Sequence, residues 1–191
     1  MGQKEDIERM NEEIAARFGK IEAAVSSAET IAGLFESLLA GIEKEFNVPF
    51  VWLTLIDNGS TAPLMDAVNA SDVLKNRLCV ISRDGFEKIL PGGVKPVLAN
   101  KDLQPFYKMM PPSRKYFVRS IAVAPFALDG QVVGAWNNGD ADPNRYAADM
   151  DSTLLSALAD KISLKLTALI AGKDATSESN LNNKQPGGLH G

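Results

Sequence analysis

The sequence predicts an α+β domain: an antiparallel sheet with helices on one face, preceded by an amphipathic N-terminal helix. Three observations carry this reading. Two apolar runs, Ser113–Leu128 and Gln131–Asn137, meet at Leu128-Asp129-Gly130-Gln131. Asp-Gly between apolar runs signals a tight hairpin, because both central positions of that turn need positive φ. Next, Leu154, Leu155, Leu158, Ile162, Leu166 and Leu169 fall on one stripe at helical spacing. At the other end, two helical patterns lead into Pro49-Phe-Val-Trp-Leu-Thr-Leu-Ile-Asp57, whose β-branched and aromatic side chains suit a pleated, half-buried surface.

Taken in order, Lys4–Val25 places Ile7, Met10, Ile14, Phe18, Ile21 and Val25 on one narrow face, with charged residues on the others. So narrow a stripe resembles a coiled-coil seam, so residues 1–26 are expected to form a dimerisation helix and the chain a parallel homodimer. Ser27 is the expected N-cap of a second helix, whose wide face runs from Ile31 through Leu34, Phe35, Leu38, Leu39 and Ile42 to Phe46. Asn47 and Pro49 stop it. The first strand ends at Asp57-Asn58-Gly59, and a weaker strand is expected over Thr61–Val68. Ser71–Arg77 reads as a helical turn, Leu78–Ile81 as a brief strand and Arg83–Leu90 as a short helix. Pro91-Gly92-Gly93 forces a turn before a short strand at Lys95–Leu98, and Asn100–Pro112 is irregular. The terminal helix begins near Asp149. Residues 27–172 thus make one domain, and the Ser-, Asn-, Gly- and Lys-rich stretch 173–191 reads as a disordered tail.

Composition narrows the function. The chain has 191 residues, a net charge of −4 and a pI near 5.1, with no clustered positive field of the kind phosphate backbones require, so nucleic acid is not an expected partner. Arg114, Lys115 and Arg119 are the densest basic group, and a solvated strand edge explains them equally well. One cysteine, Cys79, and one histidine, His190, are present. No intrachain disulfide or multi-thiol metal site can form. A catalytic triad or a haem or metal centre built on histidine needs an imidazole inside a folded site, whereas His190 sits in the tail. Cys79, between Leu78 and Val80, reads as a small buried hydrophobe. No apolar run is long enough to span a membrane, the first residues carry no signal core, and no lipidation motif is present. A cytoplasmic protein without cofactor is the expectation.

The order of elements, with Pro125 near the end of one strand and Gly134 inside the next, resembles a GAF domain from about Ser27 to Ile170. The likeness is best over Thr30–Asp57 and Ser120–Leu169. More narrowly, Gly134–Met150 is similar to a bacterial family of GAF-like proteins of unknown function. Asp142-Pro143 matches, Tyr146 and Met150 fill its aromatic and Met positions, and Asn138-Gly139 replaces its Gly-Ser pair. The resemblance implies a small-molecule sensor or dimer module more than a catalyst, with the middle segment forming the pocket wall. Tetrapyrrole-carrying GAF domains use a cysteine with a nearby histidine, and those that reduce methionine sulfoxide need more than one thiol; this chain supplies neither. Asn100-Lys101-Asp102-Leu103 also departs from the cyclic-nucleotide signature.

Other constellations read as structural. Asn138-Gly-Asp140-Ala-Asp142-Pro-Asn144 with Asp149 imitates a calcium loop, but Pro143 stands where the sharp turn needs Gly and Asp149 where a long bidentate Glu belongs. Asp142 and Asp149 are better read as caps of a turn and of the terminal helix. Pro91-Gly92-Gly93 lacks the setting of a P-loop. For a ligand pocket, alternation along the strands groups Trp52 with Thr54, Ser120 with Ala122 and Ala124, and Val132 with Gly134 and Trp136, all expected on the face away from the long helices, with Phe106 and Tyr107 in a lid. The expected ligand-binding set is Trp52, Thr54, Phe106, Tyr107, Ser120, Ala122 and Trp136. The same side chains would also fill a ligand-free core, so a small-molecule sensor, a closed interaction scaffold with an unidentified protein partner, and an enzyme all stay open at this point.

Overall fold

The computed structural model describes residues 2–182. Its elements are α1 (Gln3–Ser26), α2 (Ile31–Phe46), β1 (Phe50–Ile56), α3 (Ala62–Ala70), β2 (Leu78–Ile81), α4 (Arg83–Ile89), β3 (Val97–Ala99), β4 (Ser120–Leu128), β5 (Gln131–Asp140) and α5 (Thr153–Asn182). The five strands form one sheet in the order β2-β1-β5-β4-β3. All pairings are antiparallel except that of β1 with β2, which is parallel. The sheet is therefore mixed, because α3 carries the chain over from the end of β1 and returns it to the same starting edge.

Local chemistry sets the boundaries. The β4–β5 hairpin turns at Asp129 and Gly130, both at positive φ, as the Asp-Gly pair requires. Thr30, rather than Ser27, caps α2 by accepting the Gly33 amide. Asn47 closes that helix in the left-handed region. The segment expected as a strand at Thr61–Val68 is helical instead. Asn58 accepts the amides of Ser60 and Thr61, Thr61 answers with its own hydroxyl, and Pro63 sits in the first turn. This capping box starts a helix whose Leu64 and Val68, four residues apart, are both buried. Asp151, not Asp149, accepts the Thr153 amide at 2.9 Å at the start of α5. That helix runs past Gly172 to Asn182, into the stretch expected as tail, since elongating an existing helix needs no new nucleus. Residues 183–191, His190 among them, lie outside the described residues.

The sheet divides two cores. On one face Val51, Leu53, Leu55, Ala124, Phe126, Val133 and Trp136 pack under α1, α2, α3 and α5. On the other, Trp52, Ile56, Ile121, Val123 and Ala135 pack under α4 and the irregular segment that carries Phe106, Met109 and Val118. Gly134 lets β1 and β5 approach: a Cβ there would stand 2.3 Å from the Thr54 carbonyl oxygen. The stripe on α1 splits. Phe18, Ile21 and Val25 are buried in the same core as α2 and α5, while Ile7 and Met10 remain 52% and 59% exposed.

Candidate functional site

Beneath the irregular segment, which we call the lid, the sheet presents Trp52 and Thr54 from β1 and Asn137 from β5. Leu53 pairs with Trp136 and Trp52 with Asn137, so the asparagine shares the face of Trp52 and Thr54. The indole Nε1–H of Trp52 donates to the Met109 carbonyl at 2.6 Å, and the Thr54 hydroxyl donates to the same oxygen at 3.2 Å. Asn137 Nδ2 donates to Thr54 Oγ1 at 2.9 Å. Its other amide atom, Oδ1, is fully buried with no hydrogen-bond partner. Phe106 and Met109 close this face from above, and both are buried. Tyr107, half-buried, stacks edge-on to Tyr116 on the outer side of the lid. Beside Trp52 a groove of about 290 Å³ opens between Phe50, Asn76, Arg77, Ser113 and Arg114. The Arg114 guanidinium lies 4.9 Å above the Phe50 ring, and Arg77 pairs with Glu43.

The expected pocket residues therefore do not form one wall. Trp52, Thr54 and Phe106 meet under the lid, with Tyr107 at its edge. Ser120, Ala122 and Trp136 face the long helices instead. Trp136 lies opposite Leu53 and Ala124 in the ladder, and the Ser120 hydroxyl donates to the Asp142 carbonyl at 2.7 Å. Alternation groups residues within a strand, but which group faces which layer depends on register, and a shift of one residue reverses it. Val132 adds a second exception: a bulge between Phe126 and Ala127 and their β5 partners puts Val133 on the helix side and Val132 under the lid. Sequence reasoning missed Asn137 and Met109. Asn137-Asn138, a polar pair inside a run that pattern alone reads as apolar strand, was the available signal.

A second concavity, again of about 290 Å³, lies on the helix side. It is enclosed by Ile14 and Phe18 of α1, Ile42 and Phe46 of α2, Leu98 of β3, Asn138 of β5 and Leu155 of α5. Arg145 and Tyr146 close one end. Arg145 bridges Asp140 at 3.4 Å and donates to the Phe46 carbonyl. Trp136 Nε1–H donates to Asn138 Oδ1 at 3.0 Å. Burial pushes the Tyr146 phenol up to about 12, against the opposing pull of the neighbouring Arg145, so it is a protonated hydrogen-bond donor at neutral pH.

Cys79 sits half-buried on the edge strand β2, and burial pushes its thiol up to about 11. A thiol so shifted carries almost no thiolate at pH 7 and is a poor nucleophile. Among the described residues, no group of three or more His, Cys, Asp or Glu side chains is placed to hold a metal ion, and no helix is long and apolar enough to cross a membrane. Asp142 closes an Asx turn onto the Asn144 amide at 2.8 Å, the structural role its pairing with Pro143 predicts.

No family model matches the sequence, and no curated protein matches it either. Solved structures do. The free methionine-R-sulfoxide reductase of Neisseria meningitidis, in complex with its substrate, superposes with a TM-score of 0.53 at 16% identity, over 81% of this chain and 89% of that one. The GAF domain of a phosphoenolpyruvate-protein phosphotransferase from Coxiella burnetii gives 0.53 at 14% identity, over 86% and 96%. Residues 122 to 287 of a methyl-accepting chemotaxis protein give 0.51 at 11%, over 82% and 99%. Likeness at such identities speaks for the fold alone, and on that ground the fold of this chain is GAF-like.

Proposed function

We propose that the chain is a non-catalytic, GAF-like sensory or regulatory module that takes a small ligand between the sheet and the lid and dimerises through its terminal helices. The observation that carries the ligand reading is the Asn137 Oδ1 atom, fully buried at the centre of the lid face and without a partner. An unsatisfied acceptor in that position is unfavourable unless something supplies a donor. A ligand bearing an N–H or O–H group, admitted through the groove beside Trp52, would do so. The non-catalytic reading draws support from the neutral Cys79 thiol and from a lid face whose polar atoms are Trp52, Thr54, Asn137 and a backbone carbonyl, with no nucleophile–base pair. Homodimer formation is suggested by Ile7 and Met10, left in solvent on the first turns of α1. The proposed setting is the cytoplasm, and the signal leaves by contact with a protein partner.

A second reading, a ligand-free interaction scaffold, is favoured by the burial of Trp52, Phe106 and Met109, which fill the lid face. Native mass spectrometry of the purified chain, followed by a metabolite screen that watches the Trp52 indole resonance, separates the two. A co-purified molecule, or a metabolite that raises the melting temperature and moves that resonance, supports the sensor. Stabilising metabolites that leave the Trp52 indole unmoved, or none at all, support the scaffold.

A further inference from the structure

The helix-side cavity is not the lid-face site, and its walls have a chemistry of their own. Nine of its lining residues are apolar, Phe18, Ile42, Phe46 and Leu155 among them; Asn138, Arg145 and Tyr146 are polar, and Asn11 and Asp151 are the other two polar lining residues. Arg145 and Asn138 flank Tyr146 at one end, the Arg145 guanidinium carbon lying 5.8 Å from the Tyr146 ring centroid. Asn138 Oδ1 already accepts the Trp136 indole N–H. The Tyr146 hydroxyl keeps its proton at neutral pH and can give it to an acceptor in the cavity. Charge limits what can receive it. The Arg145 guanidinium is already met by Asp140 and by the Phe46 carbonyl, and the Asp151 carboxylate stands at the rim, so an anion would find no uncompensated cation. At roughly 30 Å³ per non-hydrogen atom, the share of a water in the liquid, the cavity takes about ten such atoms.

We infer that this cavity is a second small-molecule site, for a compact uncharged molecule with an apolar body and one carbonyl acceptor (a ketone, ester, lactone or amide) that receives the Tyr146 hydroxyl. A molecule seated there touches α1, α2 and α5 at once. Glu22 of α1 meets Lys161 of α5 at 3.1 Å, while Asn11 and Ile14 of α1 face Asp151, Leu154 and Leu155 across the cavity. The two helices therefore run side by side in the same direction, with the occupant between the middle of α1 and the start of α5.

The two tryptophans test this without ambiguity, since Trp136 bonds a cavity residue and Trp52 lies on the opposite face. The full chain, labelled with 15N, is titrated with 2-nonanone, with propylbenzene and with nonanoate while both indole N–H resonances are followed. The expected result is a saturable shift of the Trp136 signal by 2-nonanone with Trp52 unmoved, and at least about tenfold weaker binding of nonanoate. Tyr146→Phe should weaken 2-nonanone by about fivefold to tenfold, as loss of one net hydrogen bond does, and leave propylbenzene unchanged. Leu154→Trp, placed at the partly exposed rim where a larger side chain folds readily, should block both. No Trp136 shift up to the solubility limit, equal affinity for nonanoate, or indifference to Tyr146→Phe overturns the inference. A response of Trp52 alone overturns it while leaving the lid-face reading intact, and a response of Trp136 alone supports it without bearing on the lid face, which is proposed for a different, donor-bearing ligand.

Discussion

Replacing Asn137 with Leu should make the protein more stable and abolish the proposed lid-face binding. The asparagine is fully buried. The substitution removes one good hydrogen bond, Nδ2 to Thr54 Oγ1 at 2.9 Å, worth about 1 kcal/mol net. A further 3.5 Å contact to the Trp52 carbonyl is too long to add much. Against this loss, it removes a buried acceptor without a partner, whose burden is about 1–3 kcal/mol. It also replaces an amide with an apolar group of similar size between Trp52, Ile121 and Val123. Thr54 keeps its bond to the Met109 carbonyl. The balance is a gain of about 1–2 kcal/mol, or a rise of about 2–8 °C in Tm for a domain of this size. Urea unfolding should show a higher midpoint at unchanged slope. A loss of 1 kcal/mol or more would refute the reasoning, because it would mean that Oδ1 has a partner in solution, such as a buried water, and that the residue serves the fold. A stabilised variant that still shifts Trp52 with ligand would separate the acceptor from the site.

Two glycines should respond to different degrees. Gly134→Ala drives a Cβ against the Thr54 backbone at 2.3 Å and is expected to lose more than about 3 kcal/mol in urea unfolding, beyond ordinary overpacking. Gly41→Ala meets the base of the buried, β-branched Ile21 side chain, Cγ1 at 2.9 Å, an overpacking cost of about 1–3 kcal/mol that about 1 kcal/mol of helix propensity partly offsets, so it should lose about 0–2 kcal/mol. Iodoacetamide should barely label Cys79 near neutral pH, with the rate climbing about tenfold per pH unit towards the raised value near 11; fast labelling at pH 7.5 would contradict the burial of that thiol. Ile7→Glu with Met10→Glu should halve the mass seen by light scattering while the circular-dichroism spectrum stays that of a folded domain, since neither side chain belongs to the chain's own core. A mass unchanged by the pair, or a parent already monomeric at micromolar concentration, removes the proposed seam. Deleting residues 1–25 is the poorer test, because it strips Phe18, Ile21 and Val25 from the core.

Much of the fold was legible because local chemistry and layer packing agree. Asp129-Gly130 announced its turn and made it. The broad stripe of α2 and the leucines of α5 found the sheet, because each needs an apolar face to cover. Thr61–Val68 was misread because Leu64, Val68 and their neighbours suit a short strand or a short helix equally, and the Asn58 capping box decides for the helix. The site was less legible. Periodicity places Trp52 with Thr54, but the layer each strand face meets follows from pairing register and from one bulge at Val133, which are tertiary facts. For the same reason α1 looked like a free seam: nothing in its six stripe residues says that three of them meet the chain's own α2 and α5 rather than a second copy.

Adjacent asparagines on β5 supply a polar group to each of the two proposed sites, Asn137 under the lid and Asn138 in the helix-side cavity. Neighbouring residues of a strand point to opposite faces, so a polar pair at the centre of a five-stranded sheet serves both cores at once. The strand between them has little freedom to move alone. It is paired on both sides and held against β1 by Gly134, where no side chain keeps the backbones apart. A ligand that draws Asn137 towards the lid would therefore act on Asn138 through the strand as a whole, and through Asn138 on the Trp136 indole it accepts and on the helix-side cavity it lines. That is a physical connection between two sites. It becomes coupling only if a molecule in one changes the affinity of the other, by the same factor in both directions.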